Sequence, residues 1–183
     1  MVYIASNWDT ESSLNVRVFS NCEEVELLLN GKSLGLQKPD KDIISNNLEH
    51  PPFTFKIPKF ESGVLEAKGF VNNILAVNHV LKTPQNATNI EVNLDLDGYS
   101  LESNDIVFAH AILKDSNGSI VNNFKDEIIF SLEGDAMLIG DNPVHAEAGI
   151  ASILVKTGNN FKNLKIQAKT INNEIIGSYT IAE

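Results

Sequence analysis

The stretch "VELLLNGKSLGL", Val25 to Leu36, constrains this chain more than any other. Two apolar-rich runs flank Asn30-Gly31. That pair suits a type I′ turn, because both central residues need positive φ, which glycine adopts freely and asparagine tolerates. The spacing predicts a β-hairpin. Just before it, "LNVRVF" alternates Leu14, Val16 and Val18 with Asn15 and Arg17, the period of two that sends one face into a core and the other to water. "VLEAKGFV" and "ILAVNHVLKT", joined by Asn72-Asn73, predict a second hairpin. The same grammar continues through "NIEVNLDL", "IVFAHAILKD", the turn Ser116-Asn117-Gly118, "EIIFSLEG", "AMLIG", "GIASILVK", "NLKIQAKT", the turn Asn172-Asn173 and "EIIGSYTI". No segment keeps helical spacing long enough to displace strand, so βαβ folds and barrels with outer helices fit poorly.

An all-β chain of 183 residues is long for one immunoglobulin-like sandwich, which takes about 100 residues, and comfortable for two. The boundary is read at "KTPQNATNIEV", where Pro84 ends a strand and a short polar run follows. The expected organisation is two consecutive immunoglobulin-like β-sandwich domains, 1–84 and 85–183. Charge divides there as well: the first part carries 8 bases and 10 acids (8 − 10 = −2) and the second 6 bases and 14 acids (6 − 14 = −8). A total of 14 − 24 = −10 repels phosphate backbones and anionic bilayers, so neither nucleic acid nor membrane is an expected partner. No run approaches the roughly 20 apolar residues of a spanning helix, and the N-terminus shows no basic region followed by an apolar core. One cysteine, Cys22, cannot form an internal disulfide, and with no neighbouring base or cation run it reads as a structural thiol.

Candidate chemistry is sparse. His50, His79, His110 and His145 lack the short spacing of zinc ligands, and two of them sit in strand patterns. "DLDG" at 95–98 and "DSNG" at 115–118 have part of a calcium-loop pattern, but both lack the bidentate glutamate downstream, and turn chemistry accounts for them. The acids Glu23, Glu24, Glu26, Asp95 and Asp97 read as solvated surface. "NAT" at Asn86 and "NGS" at Asn117 fit glycosylation acceptors, the second inside a turn. Neither a metal nor a cofactor is expected.

"VYIASNW", "VRVFSNCEEVELLLNGKSLG", "HPPFTFKI", "GVLEAKGF" and "VLKTP", in that order, resemble the C-terminal region of glycoside hydrolase family 2, the β-galactosidase-like enzymes. "DIVFAHAILKDSNGSIV", "FSLEGDAMLIGDN" and "GIASILVKTG" are similar to the immunoglobulin-like domain that commonly comes next. The resemblance implies a parent that hydrolyses O-glycosidic bonds with two glutamates held about 5–5.5 Å apart in a barrel. This chain has no barrel pattern, so no catalytic residue is assigned within it, and its expected partner is the catalytic barrel of the same polypeptide. Its implied role is to support that barrel or an oligomer, in a periplasmic or secreted bacterial enzyme. The alternatives are a carbohydrate-binding module, with carbohydrate as partner, and an immunoglobulin-like adhesion segment.

Sugar binding and domain docking both call for exposed aromatic faces. Tyr3, Trp8 and Tyr99 are the candidates, with Asn7 standing where family members often carry a histidine before the tryptophan. Trp8, in the segment that would link barrel to sandwich, is expected to be partly exposed beside Tyr3 on a docking face. The competing expectation is that Trp8 caps its own domain's core.

Overall fold

Asn30 and Gly31 adopt φ of 52° and 78°, and Asn72 and Asn73 adopt 51° and 60°, so both turns take the left-handed geometry that lets flanking strands pair at once. The computed structural model describes residues 1–172 and 174–181. Asn173 of the expected Asn172-Asn173 turn lies outside the described residues. The chain divides into two units, Met1–Thr83 and Pro84–Glu183.

Unit 1 has seven strands: β1 (Val2–Ile4), β2 (Asn15–Ser20), β3 (Glu24–Leu29), β4 (Lys32–Gln37), β5 (Phe53–Lys56), β6 (Val64–Val71) and β7 (Ile74–Lys82). They form two antiparallel sheets, β1-β2-β5 and β4-β3-β6-β7. Alternation decides which side chains meet between them. Val16 and Val18 of β2, Val25 and Leu27 of β3, Phe53 and Phe55 of β5, and Leu65 and Ala67 of β6 are buried in one cluster. Each large apolar side chain fully buried contributes about 1.5–3 kcal/mol, and these are what hold the sheets face to face. Asn30 also ties the hairpin tip to the next strand: its Oδ1 accepts from the Val64 amide at 2.8 Å and its Nδ2 donates to the Ser62 carbonyl at 3.1 Å.

Among the described residues unit 2 has eight strands: β8 (Asn89–Leu94), β9 (Ile106–Lys114), β10 (Glu127–Glu133), β11 (Ala136–Ile139), β12 (Val144–His145), β13 (Ile150–Thr157), β14 (Lys165–Thr170) and β15 (Ile176–Thr180). The sheets are β12-β10-β14-β15 and β11-β13-β9-β8, again antiparallel. Ala109, Ala111 and Leu113 of β9 share the core with Ile128 and Phe130 of β10 and Ile166 of β14. At one side β15 comes against β8 so closely that a Cβ on Gly177 would lie 2.1 Å from the Ile90 carbonyl oxygen. Only glycine admits that approach. Both units are immunoglobulin-like β-sandwiches, and among the described residues the sole helical element is the 3-10 turn Ser45–Asn47.

The "DSNG" segment is a side-chain-capped turn. The Asp115 carboxylate accepts the amides of Asn117 and Ser119 on one oxygen and of Gln85 on the other, each at 2.9 Å. Burial penalises its charge, but the Gln85, Ser119 and Asn117 donors outweigh that and hold its carboxyl below the usual carboxylate range.

Candidate functional site

Trp8 reaches the core because the residues after it fold back. Asp9 Oδ1 accepts from the Glu11 amide at 2.9 Å and the Ser12 hydroxyl at 2.7 Å, and the Ser12 amide donates to the Asp9 carbonyl at 3.2 Å. The indole turns inward, stacks obliquely on Phe60 with centroids 5.1 Å apart, and donates Nε1–H to the Glu61 carbonyl at 3.0 Å. Its exposure is 0%. The expectation of a partly exposed tryptophan on a docking face is therefore corrected: burying a large ring whose single donor finds a carbonyl is more favourable than leaving it in water.

The other sequence-selected residues do reach solvent. Tyr3 is 53% exposed, pairs across the ladder with Phe19, itself exposed, and lies 5.0 Å from the His79 ring. His79 Nδ1 accepts the Ile4 amide at 3.2 Å, which ties the short edge strand β1 to β7. Asn7 is exposed and makes its backbone carbonyl available to the Ser6 hydroxyl. Tyr99, 78% exposed, stands beside a shallow depression of about 310 Å³ that Asp95, Asp97 and Asp105 also line. Trp8 thus offers no surface, and Tyr3 and Tyr99 belong to different units. Among the described residues, no three His, Cys, Asp or Glu side chains gather as metal ligands.

Unit 1 also carries a hydrogen-bonded loop between β4 and β5. Asp40 accepts from the Thr54 amide and hydroxyl, and its own amide donates to the Pro52 carbonyl at 2.8 Å. Asp42 Oδ1 accepts the amides of Ser45 and Ile44, at 2.7 and 2.9 Å. The Ser45 donors foremost, then the Ile44 amide, lower the pKa of this exposed carboxyl. The loop so held turns Ile43 and Ile44 outward, 88% and 74% exposed.

In unit 2 the register brings together residues far apart in sequence. Ser152 of β13 sits opposite His110 of β9, and Ser152 Oγ lies 2.8 Å from His110 Nδ1, in a hydrogen bond whose donor depends on the tautomer. Asp95 Oδ2 approaches His110 Nε2 to 3.9 Å. That is too long for the hydrogen bond by which the acid of a Ser-His-Asp triad fixes its imidazole, so the row is a polar strip and not a nucleophile relay. Next to His110 on the same outer face, Phe108 lies nearly parallel to it, with centroids 5.9 Å apart and planes 12° from coplanar. Phe108, Leu154 and Ile139 floor a groove of about 490 Å³, with Asp141, His145 and Ser152 among its polar neighbours. Sequence reasoning weighed His110 only as a zinc ligand and passed over Phe108 and Ser152, because no short motif joins positions 42 residues apart.

The family described as a domain of unknown function (DUF4982) matches residues 11–76, the hairpin-bearing part of unit 1. A β-galactosidase of Thermoanaerobacter pseudethanolicus is 27% identical over 177 residues, covering 92% of this chain and 24% of that protein. The crystal structure of a glycoside hydrolase family 2 member from Bacteroides cellulosilyticus superposes with a TM-score of 0.74 at 24% identity, over 92% of this chain and 24% of its own. Over nearly its whole length this chain is similar to part of β-galactosidase-like enzymes of glycoside hydrolase family 2. A β-glucuronidase structure from the same family gives a TM-score of 0.77 at 21% identity, over 99% of this chain and 20% of its own. The chain spans about a quarter of the length of these relatives.

Proposed function

We propose that the chain is a non-catalytic accessory region of a β-galactosidase-like or β-glucuronidase-like enzyme, and that unit 1 packs against the catalytic domain of the same polypeptide. The observation that carries this reading is the Ile43–Ile44 loop. Loops that are free to move can turn apolar side chains inward; here Asp40 and Asp42 hold the backbone while two isoleucines face water. Side chains fixed in that way gain about 1.5–3 kcal/mol each only when another surface covers them. Leu48 of the same loop, half exposed, adds to the apolar tip. The Tyr3–Phe19 pair offers a second contact of the same kind on the outer face of β1 and β2.

The role is tested in a polypeptide joining this chain to its catalytic domain. Ile43→Ser with Ile44→Ser should lower the temperature at which glycosidase activity is lost, while the isolated 183-residue chain melts as before. Equal heat inactivation of variant and parent enzyme would remove the supporting role. The isolated chain itself should not turn over aryl β-galactosides or β-glucuronides. Turnover abolished by replacing one Asp or Glu of this chain would overturn the non-catalytic reading.

A further inference from the structure

We propose that unit 2 binds a neutral saccharide in the groove on the outer face of β9 and β13, with Phe108 as the stacking platform. The proposal rests on the accessory-region reading only for its choice of carbohydrate as the ligand class; the groove itself is read from the fold. Phe108 is 48% exposed in the middle of a sheet face, where a phenylalanine without a covering surface leaves its ring open to water. The C–H face of a pyranose carries partial positive charge, and the face of an aromatic ring carries partial negative charge, so the two attract when stacked.

The surroundings fit a ligand that is apolar on its faces and hydroxylated at its rim. Leu154 and Ile139 extend the apolar floor on one side of Phe108. Ser152, His110 and Asp95 run as a polar strip from β13 across β9 to the end of β8, and Asp141 and His145 line the groove with Ser152. A volume of about 490 Å³ lies within the range of roughly 300–1,000 Å³ usual for small-ligand sites. A purely apolar partner surface would leave these hydroxyl, imidazole and carboxylate groups unpaired at a cost.

The walls are fixed before any ligand arrives. Asn142 mimics a neighbouring strand: its Oδ1 accepts the Phe130 amide at 2.9 Å and its Nδ2 donates to the Phe130 carbonyl at 2.8 Å, which pins the Gly140–Val144 segment to β10. The His110–Ser152 hydrogen bond likewise holds the imidazole parallel to Phe108. Preorganisation of this kind lowers the entropy lost on binding. Charge selects among saccharides. Asp141 lines the groove, and residues 85–183 carry 6 − 14 = −8, which disfavours uronic acids and sulfated sugars.

The test is a titration of the isotope-labelled 183-residue chain with lactose, cellobiose and glucuronic acid, followed through its backbone amide resonances. At least one neutral disaccharide should shift the amides of Phe108, Asp141 and Ser152 saturably, and glucuronic acid should not. Phe108→Ala should weaken that binding by about tenfold or more, the equivalent of losing one good stacking contact. Ser152→Ala, at an exposed position, gives a second variant that keeps the fold and should weaken binding less. The proposal is overturned if neither disaccharide saturates by about 10 mM, where even a millimolar site is filled. It is also overturned if the shifts map away from Phe108, if glucuronic acid binds as well, or if the same amides broaden with protein concentration alone, which would make the face a contact between copies. Each failure leaves the Ile43–Ile44 reading standing, since that is judged by heat inactivation of the joined enzyme.

Discussion

Unit 1 and unit 2 are the same kind of sandwich, and they differ in what their tightly packed glycines meet. Unit 1 is closed by side chains that reach across: Trp8 to the Glu61 carbonyl, Asn30 to Val64 and Ser62, His79 to the Ile4 amide. Unit 2 has such ties too, Asn142 to Phe130 among them, but where Gly63 and Gly69 of unit 1 meet side chains, its Gly177 and Gly149 meet backbone. Gly177 lets the Ile90 carbonyl in, and a Cβ on Gly149 would lie 2.5 Å from the Val121 carbonyl oxygen. A core built by reaching loses most when a large residue is trimmed, and one built by close approach loses most when a small residue grows. The two units should therefore fail under opposite substitutions.

The strongest way to break that contrast is Trp8→Ala. Emptying a fully buried indole site should cost about 3–5 kcal/mol, confined to unit 1. Urea unfolding read by amide exchange in each unit separates the outcomes; equal loss of protection in residues 89–180 would mean that the units unfold as one. Gly177→Ala should act in reverse, costing unit 2 about 1–3 kcal/mol and toward the upper end, because the obstacle is backbone and not a flexible side-chain tip. A neutral result in thermal melts would show that β15 can slide away from β8.

Gly31→Val sharpens the comparison from the other side. No atom lies within 4 Å of a Cβ at Gly31, so there is nothing to collide with, and the penalty is the left-handed backbone alone, about 1–2 kcal/mol and in unit 1 only. The smallest effect is acid sensitivity. Asp115 has a folded pKa below its unfolded value, which is near 3.9. Its contribution is complete above that value and disappears as the pH falls through the folded pKa. Unit 2 should lose stability below about pH 4, and Asp115→Asn should lower its melting temperature at neutral pH while flattening the acid limb. An unchanged acid limb in the variant would place the sensitivity elsewhere.

Strand identity was legible from residue order wherever a two-residue turn or a period of two was present. Asn30-Gly31 and Asn72-Asn73 sit at tips with positive φ, and the alternating valines of β2 face the core. Short strands without such signals, β1 and β12, were not legible, because two or three residues cannot establish a period. Local sequence also could not place Trp8. Its burial depends on the Asp9–Ser12 turn swinging it onto Phe60, four strands further along the chain.

By itself, then, the sequence determined the all-β class, the tight hairpins and the absence of a net positive surface, since each follows from contacts within a few residues or from charge alone. Tertiary structure alone decided which aromatic rings face water and which polar groups meet. Asp95, His110 and Ser152 come together through the β8-β9-β13 register, and Phe108 is exposed because its neighbours Ala109 and Ala111 take the core face. The physical reason is that a strand fixes only the alternation of its side chains, while the pairing of strands distant in sequence chooses the neighbours of each one.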